Sequence, residues 1–580
     1  MGLRLPVNQN PPTLLVCHVL ELRDVHRLRP AGRSRIDSEA VYGMLITPSA
    51  TASACARAAA LVALTAGLFA SNAAVSANQR QSDREQRHVL LISVDGMHEF
   101  DRQQFISEHP SSTLARLSRG GTVYTNASSS KPSDSFPGLL SQLTGGTPKT
   151  MGVFYDDSYS RTMWAPGSAC AGPAGAEVVY AENLDSTING LVPRFPQPPI
   201  DPATLPLGIV AGKCTGIFPH SFLQTNTIFE VAHAAGLYTA WSDKHPAYEV
   251  VRGPSNTGAE DLFTPEINTT QVPDPTTISV RATNDYDQLK VVAVLNEIDG
   301  RSSDGTQPRP VPSIFGMNFQ SVSVGQKLVD PVLSCVRNPK PSNCDPTYFP
   351  GGYKPGSLAF TPQMELAMTY VDGAIGSMVA ELQSRGLLDS TEVIVSAKHG
   401  QSPIDPDKLQ KIGDPVSTIL SGAGVSVGQN TEDDISLIWL TDQSQTAAAV
   451  NALQADRTGA NTARIQTILS GAALAEQFGD PRLNSRTPDI IVQPIPGTIY
   501  TRSKAKVAEH GGFAEDDTHV ALIVFSGSAD DEARDRTGVI ADSVETRQIA
   551  PTILKFLRLD PSALRSVRIE GTQVLPRALE

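Results

Sequence analysis

The sequence has no excess of positive charge: 47 Lys and Arg stand against 60 Asp and Glu, a net charge of −13 over 580 residues. That balance excludes a nucleic-acid scaffold, because phosphate backbones are held by clustered Lys and Arg. A small phosphorylated ligand remains compatible, since a metal can supply local positive charge. Cysteine is scarce, with six in the chain, and no pair has the two-to-four-residue spacing usual for zinc ligands. No internal repeat is visible, which excludes solenoid and propeller arrays. A bilayer-length apolar run is also missing. The one apolar stretch near the N-terminus, Ala58 to Ala70, is shorter than the ~20 residues a spanning helix needs.

That short run has a different meaning. Arg57 precedes it and the small-x-small pattern Ala74-Val75-Ser76-Ala77 follows, the three parts of a secretory signal. A leader over 44–77 is therefore expected, with 1–43 an upstream extension outside the fold. No membrane span remains after its removal, and the location is secreted or periplasmic. Cys17 and Cys55 fall in the part expected to be absent from the mature chain. Cys170, Cys214, Cys335 and Cys344 are left, an even number for an oxidising compartment. A local Cys335–Cys344 bridge and a wider Cys170–Cys214 bridge are the expected pairing. Oligomeric state is not legible.

From Arg87 onward, short apolar strands alternate with amphipathic helical stretches, the pattern of a parallel α/β protein. Strands are expected at 88–94, 121–126, 238–241, 313–319, 391–396, 489–492 and 520–525. Helices are expected at 113–119, 136–144, 227–236, 364–387 and 548–557. One large domain over 87–560 follows, with a mostly parallel sheet, helices on both faces, and 561–580 as a tail.

The polar residues at the strand ends carry the chemistry. Val89 to Val94 leads into Asp95-Gly96; Lys131-Pro132-Ser133-Asp134-Ser135-Phe136-Pro137-Gly138 places a hydroxyl at a helix start. Val393 to Ser396 leads into Ala397-Lys398-His399-Gly400, and a last His-Gly stands at His510-Gly511. Open α/β sheets collect ligands at strand C-termini, a helix N-terminus suits phosphoryl oxygens, and His with carboxylate suits zinc.

The order strand-Asp, Ser-Phe-Pro, strand-x-His-Gly, His-Gly resembles the type I phosphodiesterase/nucleotide pyrophosphatase branch of the alkaline phosphatase superfamily, from about Arg87 to Leu557. The resemblance implies an alkaline-phosphatase-like fold and a Ser135 nucleophile held between divalent metals, with Asp95, Ser135, His399 and His510 as ligands. One or two ions, zinc by donor type, are the implied cofactor. Four positions depart from the family. Lys398 stands for a metal-binding aspartate, Val322 and Gln326 stand for an Asp and a His, and Asp156 stands for an asparagine that contacts substrate phosphate. Asp243 and His245 are candidate replacement ligands, with a capped turn as the alternative; Asp372 is expected to be structural. A sulfatase is excluded, because Leu139 occupies the position where that class has arginine. The expected function is an exported metal-assisted phosphate-ester hydrolase acting through a phosphorylated Ser135, with Lys398 near its hydroxyl. The alternative is a non-catalytic homologue that binds a phosphorylated ligand or a partner.

Overall fold

The structure is a computed structural model that describes residues 87–179, 200–267, 279–327, 351–503, 506–528 and 535–578. The upstream extension, the leader and the Cys335/Cys344 pair lie outside the described residues. Cys170 and Cys214 are joined by a disulfide.

An eight-stranded sheet organises the chain. Its order is Gly538–Ile540, Thr122–Tyr124, Leu522–Ser526, Thr391–Ser396, His88–Val94, Ile314–Phe319, Ala240–Ser242 and Asp261–Phe263. Leu522–Ser526 runs antiparallel to both neighbours; the remaining pairs are parallel. The central strand, His88–Val94, is buried along its whole length. A strand covered on both faces needs a continuous apolar run rather than an alternating one, which is why this segment is so apolar. Successive side chains still point to opposite faces. Val89 and Leu91 join one core with the helices Ser135–Thr144 and Ile549–Phe556. Leu90, Ile92 and Val94 join the other with Pro362–Ser384 and Val280–Ile298. This is the α/β architecture expected, with helices on both faces of a mostly parallel sheet.

The expected strand at 489–492 is found as Ile490–Pro494, but it belongs to a second, four-stranded antiparallel sheet with Val427–Glu432, Ser436–Leu440 and Ile465–Ser470. The C-terminal stretch is not a tail up to residue 578. Leu564 and Leu575 are buried in the first core and Arg565–Glu570 is helical. Asp372 accepts the backbone N–H groups of Thr113 at 3.0 Å and Leu114 at 2.7 Å, so it caps the Thr113–Gly120 helix as a structural residue. Among the described residues, no helix is long and apolar enough to cross a membrane.

Candidate active site

Parallel strands deliver their C-terminal ends to one side of the sheet, and the polar residues that follow them meet there. Asp95 follows His88–Val94, Lys398 and His399 follow Thr391–Ser396, Gln320 follows Ile314–Phe319, and Asp243 and Lys244 follow Ala240–Ser242. Ser135 opens the helix Ser135–Thr144, with Asp134 as its N-cap accepting from Phe136 N–H. This helix lies against the strand end so closely that a Cβ on Gly138 would stand 2.1 Å from the Lys398 carbonyl oxygen. Gly138→Val is therefore expected to destabilise the fold by about 1–3 kcal/mol, because backbone cannot give way as a flexible side chain does. Urea unfolding measures it, and unchanged stability would contradict the packing described.

Ser135 Oγ lies 3.1 Å from His399 Nε2 and 3.4 Å from Asp95 Oδ2. The rings of His399 and His510 are 4.1 Å apart, centre to centre. All four residues singled out from the sequence thus converge. The other nitrogen of His399 settles its tautomer. Nδ1 is 2.8 Å from the Gly400 carbonyl, which can only accept, so Nδ1 carries the proton in the neutral ring. Nε2 then presents a lone pair to the Ser135 hydroxyl. Burial pushes the His399 pKa down to about 3, which keeps the ring neutral.

Lys398 is fully buried, but it does not hydrogen-bond Ser135. Its Nζ lies 3.0 and 3.1 Å from the two oxygens of Asp243, 3.9 Å from Asp95 Oδ1, and 4.1 Å from the centre of the Tyr248 ring. The lysine beside the serine is Lys244, which the sequence analysis passed over between Asp243 and His245. Its Nζ donates to Ser135 Oγ at 3.0 Å and to Asp95 Oδ2 at 3.1 Å. Gln320 Nε2 also donates to Asp95 Oδ2. Alternation along the extended chain explains the oversight: Asp243 turns to Lys398, Lys244 to the serine, and His245 to Glu266 at 2.9 Å. Asp243 and His245 are thereby committed to partners and are not free replacement ligands. The available signal was a lysine directly after a strand that ends at the site.

Burial raises the pKa of Asp95, but Lys398, Lys244 and His399 overcome it and hold the carboxyl well below its usual range. Burial lowers that of Lys244, yet Asp95 and Asp243 outweigh it and raise it. On the far side, His510 Nδ1 and Asp134 Oδ2 are 3.7 Å apart, both buried and without a hydrogen bond. Burial, Lys327 and His399 push the His510 pKa well down, while burial and Asp156 push that of Asp134 well up. Asp156 is partly exposed and lies within electrostatic reach of Lys244 and Lys327.

Zinc needs about four donors at ~2.0–2.3 Å, and the residues present do not fit a pair of such ions. Asp95, Ser135 and His399 converge, but the Lys244 ammonium stands against two of them and the Lys398 ammonium against the remaining side of Asp95. At 4 Å and an effective dielectric of ~20, like unit charges repel by about 4 kcal/mol, and a dication doubles that. At the other position Val322 is an apolar core residue. Gln326 is tied up, with its Nε2 donating to the Gly96 carbonyl at 2.8 Å and to Asp101 Oδ2 at 3.0 Å. Only His510 is left there. Among the described residues, the one group of three His or carboxylate donors gathered within 4.8 Å of one another is Glu108, His109 and Glu365, where Glu108 is exposed and the other two are partly exposed.

The family model for type I phosphodiesterase/nucleotide pyrophosphatase matches residues 89–179 and 352–517, which carry Asp95, Ser135, His399 and His510. No curated protein sequence matches the chain. Two solved structures of murine ectonucleotide pyrophosphatase/phosphodiesterase 5, one of them an inactive form in complex with AMP, are similar in fold. Each is 11% identical, covers 82% of this chain and 96% of its own, and superposes with a TM-score of 0.50. The matched segments thus resemble the type I phosphodiesterase/nucleotide pyrophosphatase family in sequence, and the chain shares the fold of these ectonucleotide pyrophosphatase/phosphodiesterase structures.

Proposed function

We propose that the chain is an exported hydrolase of phosphate esters, with Ser135 as nucleophile and a small phosphorylated molecule as substrate. One observation carries the reading: the Ser135 hydroxyl sits at a helix N-terminus, 3.1 Å from the unprotonated Nε2 of His399. A phosphoryl group placed there meets the backbone N–H donors of that helix end. Ser135 Oγ forms a bond to phosphorus as the bond to the leaving oxygen breaks, and the hydroxyl proton passes to His399 Nε2. The leaving oxygen departs on the opposite side of phosphorus and takes its proton from solvent. Water then attacks phosphorus from that side and loses a proton to solvent, and as the bond to Ser135 Oγ breaks the protonated imidazole returns its proton to that oxygen, which restores the site. The AMP complex of the murine neighbour supports a nucleotide-like ligand.

The test is a steady-state incubation with bis(p-nitrophenyl) phosphate, quenched in acid and mapped by peptide mass spectrometry. The expected result is nitrophenol release with an aryl phosphoryl group on the Ser135 peptide. Turnover by a Ser135→Ala variant at the wild-type rate would overturn the proposal.

A second reading is favoured by the committed state of Gln326 and Lys398, which removes two ligand positions of the family. On that reading the site binds a phosphorylated ligand without turnover. Saturable binding of AMP by titration calorimetry, with no nitrophenol released, would support it.

A further inference from the structure

We infer that the ammonium groups of Lys244 and Lys398 take the place of divalent cations, so that this site handles phosphoryl groups without a metal. The inference rests on the reading of Ser135 as a phosphoryl acceptor and names the source of positive charge there. Lys244 Nζ bridges Asp95 Oδ2 and Ser135 Oγ at 3.1 and 3.0 Å, the two oxygens an ion would have to share. Lys398 Nζ is clamped by both oxygens of Asp243 at 3.0 and 3.1 Å and faces Asp95 Oδ1 at 3.9 Å. Two ammonium groups and two carboxylates form a closed, electrically balanced set, with Lys398, Asp95 and Asp243 fully buried. A bound dication would leave that set with two excess positive charges beside the fully buried Lys398.

The second cation position is closed by other means. The side chain of Gln326 is drawn into a network with Gly96, Asp101 and Tyr353, at 2.8, 3.0 and 3.2 Å from its Nε2. The fit is therefore to a fixed-charge cradle. Lysine binds phosphate as a point charge. Lys244, next to the nucleophile, is placed to neutralise the equatorial oxygens as the bond to Ser135 forms, while Lys398 holds Asp243 and Asp95 in position behind it.

Zinc stoichiometry provides a readout independent of activity. The purified full chain is incubated with two equivalents of zinc chloride, passed through a desalting column and analysed for metal by mass spectrometry. The wild type is expected to emerge without stoichiometric zinc. Removing the bridging ammonium in Lys244→Ala, combined with Lys398→Asp, is expected to give a chain that retains one zinc per molecule. Lys244→Met, which keeps the side-chain volume, is the second variant should the double substitution fail to fold; it is expected to retain zinc more than the wild type. A wild-type chain that leaves the column with one or more zinc ions overturns the inference, and so do folded variants that gain none. Chelation with EDTA is expected to leave wild-type hydrolysis unchanged, and its loss overturns the inference too. Absence of hydrolysis under every condition refutes the proposed hydrolase, while the zinc measurement still decides the identity of the cation.

Discussion

Ser135→Ala is expected to lower kcat/KM for a nitrophenyl phosphodiester by more than about 10⁴-fold, and His399→Ala by about 10²–10⁴-fold. The double variant is expected to be no slower than Ser135→Ala alone. The reason is that His399 acts only through the serine proton: its Nε2 is 3.1 Å from Ser135 Oγ, and its Nδ1–H is spent on the Gly400 carbonyl at 2.8 Å. Residues that work as one unit are strongly non-additive. If the two losses multiplied, His399 would be acting independently of the nucleophile. The pH dependence provides a second handle. An unfolded histidine takes up its proton near pH 6.5, whereas burial holds His399 neutral down to about pH 3. Stability from this group is therefore full above about pH 6.5. It falls as the pH drops towards 3, because the unfolded chain then binds the extra proton. For the same reason an acid limb of kcat/KM near pH 6.5 is not expected from His399. A limb there that disappeared in His399→Ala would show that the ring titrates as an exposed histidine does.

The central strands were legible because burial on two faces leaves no room for polar residues, so His88–Val94 and Thr391–Ser396 stand out as apolar runs. The long helix Val280–Ile298 was not legible. Asp287, Lys290 and Glu297 are buried along it and interrupt the apolar stripe that would announce a helix. Asp287 and Lys290 pair at 2.9 Å, and Asp287 also accepts the backbone N–H groups of Gln320 and Ser321 at 2.9 and 3.0 Å. The polar residues thus hold the loop that carries Gln320 to Asp95. The smaller sheet was hidden for a related reason: Val427–Glu432 is mostly half-exposed and lacks a strong alternation.

At the site, the convergence of Asp95, Ser135, His399 and His510 followed from motif order: Asp95 and His399 follow the C-terminal ends of strands, Ser135 starts a helix, and His510 lies in the loop between Thr498–Tyr500 and Glu515–Thr518. The partner of each substituted residue did not. Lys398 pairs with Asp243 and Lys244 with Ser135 across about 155 and 109 residues of chain, and only the strand order brings them together. Sequence identified the missing aspartate but could not show that a second lysine from another strand stands beside the serine.

Asp243→Ala is expected to destabilise the chain by about 3–5 kcal/mol, the largest single effect on stability predicted for the site. Both oxygens of Asp243 receive the Lys398 ammonium, Oδ2 also receives Trp241 Nε1–H at 3.1 Å, and Oδ1 receives the Lys244 backbone N–H at 2.9 Å. Its removal leaves a buried ammonium facing only Asp95 at 3.9 Å and the Tyr248 ring, and leaves the indole N–H without its acceptor. Lys398→Met leaves the carboxylate with the Trp241 and Lys244 donors, so it is expected to cost less, about 1–3 kcal/mol. Replacing both, Asp243→Ala with Lys398→Met, removes the stranded charge as well as its partner, and the combined loss is expected to fall short of the sum. Urea unfolding of the four proteins gives the coupling free energy directly. A coupling near zero would mean that the two groups do not share a desolvated ion pair, and the balanced set of charges around Ser135 would have to be abandoned with it.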